Sequence, residues 1–187
     1  MKIKIYKFLL KSIGKILPLK RHPGGLIANS IRCFFAKNIV EHIGFGCVIE
    51  PGAELHEGCV LGDITGIGPN CMIGPNCTFL GHSMTGPNVH IYTENHIYNE
   101  ELHCFKGSQT KPVTVGEYSW IGYNSIICPG VTIGNHTIIG AGSVVTKDIP
   151  GGVMAAGNPC IVKKVIDKAY YNEYVNQTSL LPPQYDI

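Results

Sequence analysis

Among the eight histidines of the chain, His96 has the surroundings that a general base requires. It ends the stretch IYTENH, where a regular sequence pattern stops and a polar segment, residues 97–114, begins. A histidine at such a junction has a fixed backbone on one side and open space on the other. Because an imidazole with an ordinary pKa of about 6.5 takes up a proton near neutral pH, His96 is predicted to be the catalytic base.

The other histidines are weaker candidates. His82 lies in an irregular repeat, where it could line the same cleft, and His103 lies within the polar segment, from which it could swing in. His90 is predicted to face outward, and His56 and His136 are predicted to sit on solvated turns. None of these five is assigned a role.

Further candidates follow His96 in the chain. Trp120, the only tryptophan, is predicted to face outward, where an indole commonly contacts a ligand or a partner surface. Lys147, Lys163 and Lys164 form a basic group that could meet phosphates, and ordinary solvated charge is the alternative interpretation.

The element that must position these residues is a six-residue repeat. A small or β-branched residue follows most aliphatic positions by four places, and glycine often follows directly, where it is predicted to let the backbone turn. A period of six fits neither a helix nor a hairpin and is typical of a hexapeptide β-helix. The thirteen aliphatic or aromatic positions in one frame are Ile43, Ile49, Leu55, Leu61, Ile67, Ile73, Phe79, Val115, Ile121, Ile127, Ile133, Ile139 and Val145.

The repeats divide the chain into three parts. Residues 1–42 are predicted to be a helical extension and cap, residues 43–150 the β-helix, and residues 151–187 a C-terminal segment with a short helix over 161–176 and a tail. Residues 97–114 keep the phase of the repeat but lack its small residues, so they are predicted to form one protruding loop. Four of the eight cysteines occupy small inward positions, which favours reduced, structural thiols in a cytoplasmic protein.

Charge is concentrated at the N-terminus, although the net charge is only +2. Residues 1–21 hold seven basic residues and no acid, in a pattern that predicts a basic amphipathic helix. One interpretation docks this helix on the solenoid or a partner subunit, and the other lays it on an anionic membrane surface. No run of about 18 apolar residues predicts a membrane span, and no motif predicts nucleic-acid binding.

The motifs together resemble the hexapeptide-repeat O-acetyltransferases, in particular the maltose, galactoside and capsular-sugar branch. The resemblance covers roughly residues 43–165 and rests on IYTENH, KPVTVGEYSWIG, PGVTIG, IGAGSVVTKDIP and AAGNPC, in the order and spacing of that family. It implies a left-handed parallel β-helix, a homotrimer, and acetyl-CoA bound as co-substrate between neighbouring subunits, with no metal.

The resemblance also implies roles for individual residues. His96 would remove the proton from a sugar hydroxyl, whose oxygen then attacks the thioester directly. The residues expected to contact the coenzyme, with Trp120 included for its outward position, are Trp120, Tyr123, Ala141, Thr146, Lys147 and Lys164.

Three alternatives have distinct expectations. An antibiotic O-acetyltransferase would share the fold and the histidine and differ only in its acceptor. A γ-type carbonic anhydrase would need three zinc-binding histidines, two of them as His-x4-His, a spacing that no pair here has. A non-catalytic binding solenoid would present a regular outward array, whereas the outward positions here are mixed.

Overall fold

The computed structural model describes residues 2–178. Four helices flank a solenoid of short strands, and no helix among these residues has the length and apolarity to cross a bilayer. The helices are α1 (Lys2–Lys11), α2 (Ile13–Ile16), α3 (Gly25–Lys37) and α4 (Lys168–Thr178).

The strands run β1 (His42–Ile43), β2 (Val48–Ile49), β3 (Val60–Leu61), β4 (Gly66–Ile67), β5 (Met72–Ile73), β6 (Thr78–Phe79), β7 (Met84–Thr85), β8 (His90–Ile91), β9 (Glu94–Asn99), β10 (Cys104–Thr110), β11 (Thr114–Val115), β12 (Trp120–Ile121), β13 (Ile126–Ile127), β14 (Thr132–Ile133), β15 (Ile138–Ile139), β16 (Val144–Val145), β17 (Val153–Ala156) and β18 (Ile161–Val165).

Three sheets form the sides of the solenoid. Sheet A has the order β1-β3-β6-β11-β14, sheet B the order β18-β17-β15-β12-β7-β4-β2, and sheet C the order β16-β13-β8-β5. Paired strands within these three sheets are parallel except β17 with β18. Partners such as Val60 and Thr78 lie 18 residues apart, which is three hexapeptides to a coil. The predicted left-handed β-helix is confirmed.

The interior contains the residues that the six-residue frame predicts. Twelve of the thirteen frame positions are buried, and Ile43 in the first coil is partly buried. The small inward side chains also form hydrogen bonds between coils: Cys59 Sγ donates to the Gly74 carbonyl (3.1 Å) and Ser119 Oγ to the Gly134 carbonyl (2.8 Å). Small side chains with a donor therefore satisfy backbone carbonyls inside the column.

The turns lie elsewhere than predicted. The left-handed φ values recur three residues after the frame position, at residues such as Asn70, Asn76 and Asn124, where asparagine tolerates this conformation. The glycine directly after a frame position has a different role. At Gly62 a Cβ atom would lie 2.2 Å from the Leu80 carbonyl oxygen of the next coil, so glycine is required by close stacking and not by the turn.

The protruding segment is an antiparallel hairpin, β9 with β10, that covers residues 94–110. Thr78 pairs with Thr114, 36 residues on, so the insertion adds 18 residues without changing the register of the solenoid. The predicted bounds of 97–114 are therefore shifted, because Val113 and Val115 are already buried in the column. The first strand of the hairpin includes His96.

The N-terminal helices pack on the first coils. α3 lies against β1 and β2, and Arg32 of α3 is fully buried, with hydrogen bonds from its guanidinium to the Ile49 and Pro18 carbonyls. Burial lowers the pKa of Arg32, an effect that nearby Glu50 opposes. α1 packs against α3 and carries two lysines to the solenoid, as described below.

The C-terminal segment differs from the predicted helix over 161–176. Ile161–Val165 is strand β18, which pairs antiparallel with β17 and ends sheet B, and the helix begins only at Lys168. Pairing with β17 provides hydrogen-bond partners for the backbone N–H and C=O groups of this stretch. The sequence of the stretch alone does not show that β17 lies beside it. The predicted tail lies outside the described residues.

Candidate active site

His96 is exposed and lines a cleft of about 560 Å³ where the hairpin leaves the solenoid. Clefts of this size are typical of small-molecule sites, which span about 300–1,000 Å³. The imidazole and carboxylate side chains of the cleft, namely His56, Glu57, Glu94 and His96, come from two separate parts of the chain. The wall includes Thr93 and Asn95 as polar groups.

The hairpin holds His96 through pairing at its base and a ring contact. Thr93, which is 1% exposed, precedes the hairpin, and its carbonyl accepts a hydrogen bond from the Lys111 amide (2.7 Å). His96 faces Ser108 across the two strands. The His96 imidazole contacts the ring of Phe105 edge to face, with centroids 5.7 Å apart. A histidine on a paired strand is more precisely placed than one on an irregular loop.

The opposite wall is supplied by His56 and Glu57, two coils below. Glu57 is paired with Lys7 of α1, and Lys7 Nζ also donates to His56 Nδ1 (3.4 Å). Burial lowers the pKa of His56, with a further contribution from Lys7, whereas the contact with Lys7 lowers the pKa of Glu57. The prediction that His56 is a solvated turn residue is wrong, because α1 partly covers it.

The two other histidines considered for the cleft do not line it. His82 stacks on Tyr118 (4.7 Å between centroids) at a corner of the solenoid. His103 lies near the hairpin tip, with Nδ1 3.5 Å from the Tyr98 hydroxyl. His96 and His56 are therefore the histidines that the structure brings together here.

The predicted coenzyme residues lie on other surfaces of the same chain. Trp120 projects from sheet B and is 49% exposed. Tyr123 and Ala141 are exposed on successive coils, where the Gly142 amide donates to the Tyr123 carbonyl (2.8 Å). None of the six predicted residues, namely Trp120, Tyr123, Ala141, Thr146, Lys147 and Lys164, lines the His96 cleft.

Thr146, Lys147 and Lys164 are also exposed, with Thr146 and Lys147 directly after β16 of sheet C and Lys164 on β18 of sheet B. Within residues 2–178, no group of three His, Cys, Asp or Glu side chains is arranged to hold a metal ion.

Comparisons with known proteins identify the family of this chain. The family model described as "Bacterial transferase hexapeptide (six repeats)" matches residues 112–147. The galactoside O-acetyltransferase of Lactococcus lactis subsp. lactis (strain IL1403) is 38% identical over 149 residues, which cover 74% of this chain and 69% of that relative. The chain belongs to the hexapeptide-repeat O-acetyltransferases.

Solved structures of this O-acetyltransferase family agree with the fold. A maltose O-acetyltransferase from Clostridium difficile 630 has a TM-score of 0.65 at 28% identity, with 89% of this chain and 87% of that chain covered. A galactoside acetyltransferase in complex with coenzyme A has a TM-score of 0.60 at 29% identity, with 89% and 80% covered. Matches to the next curated relatives span less than half of their length, 45% and 42%.

Sequence reasoning missed Glu57, Thr93 and the role of His56. A coil length of 18 residues would have indicated Glu57 and Thr93, because residues 57, 75 and 93 then occupy one column of the solenoid. Glu57, Pro75 and Thr93 all line the cleft. Lys7 could not have been found in this way, since it reaches Glu57 from a separate helix.

Proposed function

We propose that the protein is an acetyl-CoA-dependent O-acetyltransferase that acetylates a hydroxyl of a sugar or polysaccharide precursor, with His96 as the general base. The observation that carries this proposal is the exposed His96 imidazole on a paired strand, facing a cleft of about 560 Å³, in a chain of this family. The coenzyme A complex of the galactoside acetyltransferase relative supports acetyl-CoA as the donor.

The reaction needs one proton acceptor and two substrates held together. A ring nitrogen of His96 takes the proton from the acceptor hydroxyl as its oxygen forms a bond to the thioester carbonyl carbon. The carbon–sulfur bond then breaks, and the thiolate of the coenzyme takes up the proton. Such a base contributes about 10²–10⁴ in rate, and juxtaposition of the two substrates adds to this.

We further propose that the active unit is a homotrimer. On one chain, Trp120 and the other predicted coenzyme residues lie away from the His96 cleft, so a neighbouring subunit would be needed to bring them together. The outer face of sheet B supports an interface, because Met84, Trp120 and Met154 present large apolar side chains that are 39–55% exposed.

We also propose that the N-terminal region touches an anionic membrane surface from the cytoplasmic side. Lys7 and Lys11 are engaged with the solenoid, while Ile5 and Phe8 of the same helix are 51% and 69% exposed and Lys4 is exposed as well. Co-sedimentation with vesicles that contain phosphatidylserine, but not with neutral vesicles, is expected; equal recovery with both would refute this contact.

The catalytic assignment is tested by His96→Ala. Thiol release from acetyl-CoA is measured with a panel of sugars and antibiotics, and kcat/KM for the best acceptor should fall by about 10²–10⁴. Coenzyme affinity, by calorimetry, and molar mass, by light scattering, should stay near wild type. His103→Ala, on the same hairpin but outside the cleft, is the matched control. Full activity of His96→Ala would overturn the role of His96, and exclusive use of an antibiotic would replace the sugar acceptor.

A further inference from the structure

The lower wall of the His96 cleft is charged, and the proposed reaction does not yet use it. Glu57 and Glu94 both line the cleft. Lys7 is paired with Glu57, and the pKa of His56 is lowered by burial and by Lys7. With a largely neutral His56, two carboxylates and one ammonium lie at the cleft, so the cleft as a whole has an excess of negative charge at neutral pH.

A second observation is an unsatisfied buried hydroxyl beside the cleft. Thr93 is 1% exposed and lines the cleft, and its hydroxyl has no hydrogen-bond partner among the described residues. A buried hydroxyl without a partner is costly, since the free energy of its lost contact with water is not recovered. The oxygen itself is closed to the cleft, so a ligand would reach it only after the Thr93 side chain rotates.

Lys7 gives Glu57 a fixed position. Glu57 is 51% exposed and, without a partner, its side chain would sample several rotamers. Lys7 extends from α1 and contacts both Glu57 and His56, so the N-terminal helix contributes to the wall of the cleft. Lys11 of the same helix pairs with Glu54 in a similar way (2.6 Å), but Glu54 does not line the cleft.

We propose that Glu57, held by Lys7, accepts a hydrogen bond from a hydroxyl or ammonium group of the acceptor and selects neutral or amino sugars against anionic ones. This inference rests on the proposed function, because it assigns the acceptor to the cleft of His96. A carboxylate can only accept hydrogen bonds, so it binds hydroxyl and ammonium groups, whereas it repels a second carboxylate.

The test uses three pyranosides that differ in charge: methyl β-D-glucopyranoside, D-glucosamine and D-glucuronate. Their binding to the wild-type protein without coenzyme is measured by ligand-observed NMR, and their acetylation is measured by thiol release. The neutral and cationic sugars should bind at least about 10-fold more tightly than glucuronate, the effect of one charge-assisted hydrogen bond.

Glu57→Gln should weaken the binding of glucosamine about 10- to 100-fold and reduce the difference in affinity between glucosamine and glucuronate. Lys7→Met should raise the KM for the acceptor less than Glu57→Gln does, with the KM for acetyl-CoA unchanged. The matched controls are Glu54→Gln and Lys11→Met, which break the neighbouring ion pair of the same helix and should leave both binding and KM at wild-type values.

The outcomes separate this inference from the proposed function. Preferred binding of glucuronate, or equal effects of Glu57→Gln and Glu54→Gln, would overturn the role of Glu57. Absence of binding by all three sugars would also overturn it. Selective binding that depends on Glu57, without any acetyl transfer to a sugar, would uphold this inference and overturn the proposed reaction.

Discussion

The contact between His96 and Phe105 offers a quantitative test of how the hairpin positions the base. The Phe105 ring lies edge to face with the imidazole at 5.7 Å and with the Tyr98 ring at 5.6 Å, and it is 71% exposed. Phe105→Ala removes the ring and leaves the strand pairing of the hairpin in place. The variant therefore loses an orienting contact without losing the base itself.

The magnitude follows from the energy of one aromatic pair. Such a contact is worth about 0.5–1.5 kcal/mol beyond area burial. If this energy favours the productive orientation of His96, its loss should lower kcat by about 2- to 12-fold, by the relation between free energy and rate. The KM for acetyl-CoA should not change, because Phe105 is not among the predicted coenzyme residues.

The assay is steady-state thiol release at saturating acetyl-CoA, with the pH profile recorded for each variant. Leu102→Ala is the matched control, since Leu102 lies near the tip of the hairpin and is 67% exposed. An unchanged kcat for Phe105→Ala, or a loss equal to that of Leu102→Ala, would show that the ring does not orient the base. A loss as large as that of His96→Ala would indicate collapse of the hairpin instead.

Two further predictions concern stability, measured by urea unfolding at matched protein concentration. In Gly62→Ala the new Cβ would lie 2.2 Å from the next coil, so the free energy of unfolding should fall by about 3 kcal/mol. Gly142 has φ 69° and open space around it, so Gly142→Ala should lower the free energy of unfolding by about 1–2 kcal/mol. Equal losses would contradict the distinction between stacking glycines and turn glycines. Since the pKa of His56 in the folded protein lies below its unfolded value of 6.5, the unfolded chain binds the proton more readily, and stability should fall as the pH drops from about 6.5 towards the folded pKa. His56→Gln should remove part of this slope, and an unaltered slope would show that His56 is not its source.

The interior of the β-helix could be predicted because every coil repeats the same constraints. Ile121 and Ser119 each occupy a position where only an aliphatic or a small side chain fits, so a period of six residues is imposed on the sequence. The hairpin has no such constraint. Its two strands are exposed on both faces, so no alternation of apolar and polar residues marks their ends, and the predicted bounds were shifted by a few residues.

The C-terminal strand illustrates a second limit. The segment Ile161–Val165 was predicted to be helical, yet it pairs with β17, and the partner rather than the local sequence determines its structure. The buried Arg32 was not predicted either, since its partners are carbonyl groups that come close only when α3 packs on the solenoid.

The sequence by itself determined the six-residue repeat, the inward side chains and the location of His96 where the repeat pattern stops. These follow from a repeat that every turn must obey. Only the tertiary structure decided that His56 and Glu57 share a cleft with His96, that Lys7 reaches them from a helix about 50 residues earlier, and that the predicted coenzyme residues lie outside that cleft. Such pairings depend on how a helix and a hairpin are oriented on the column, and orientation leaves no period in the sequence.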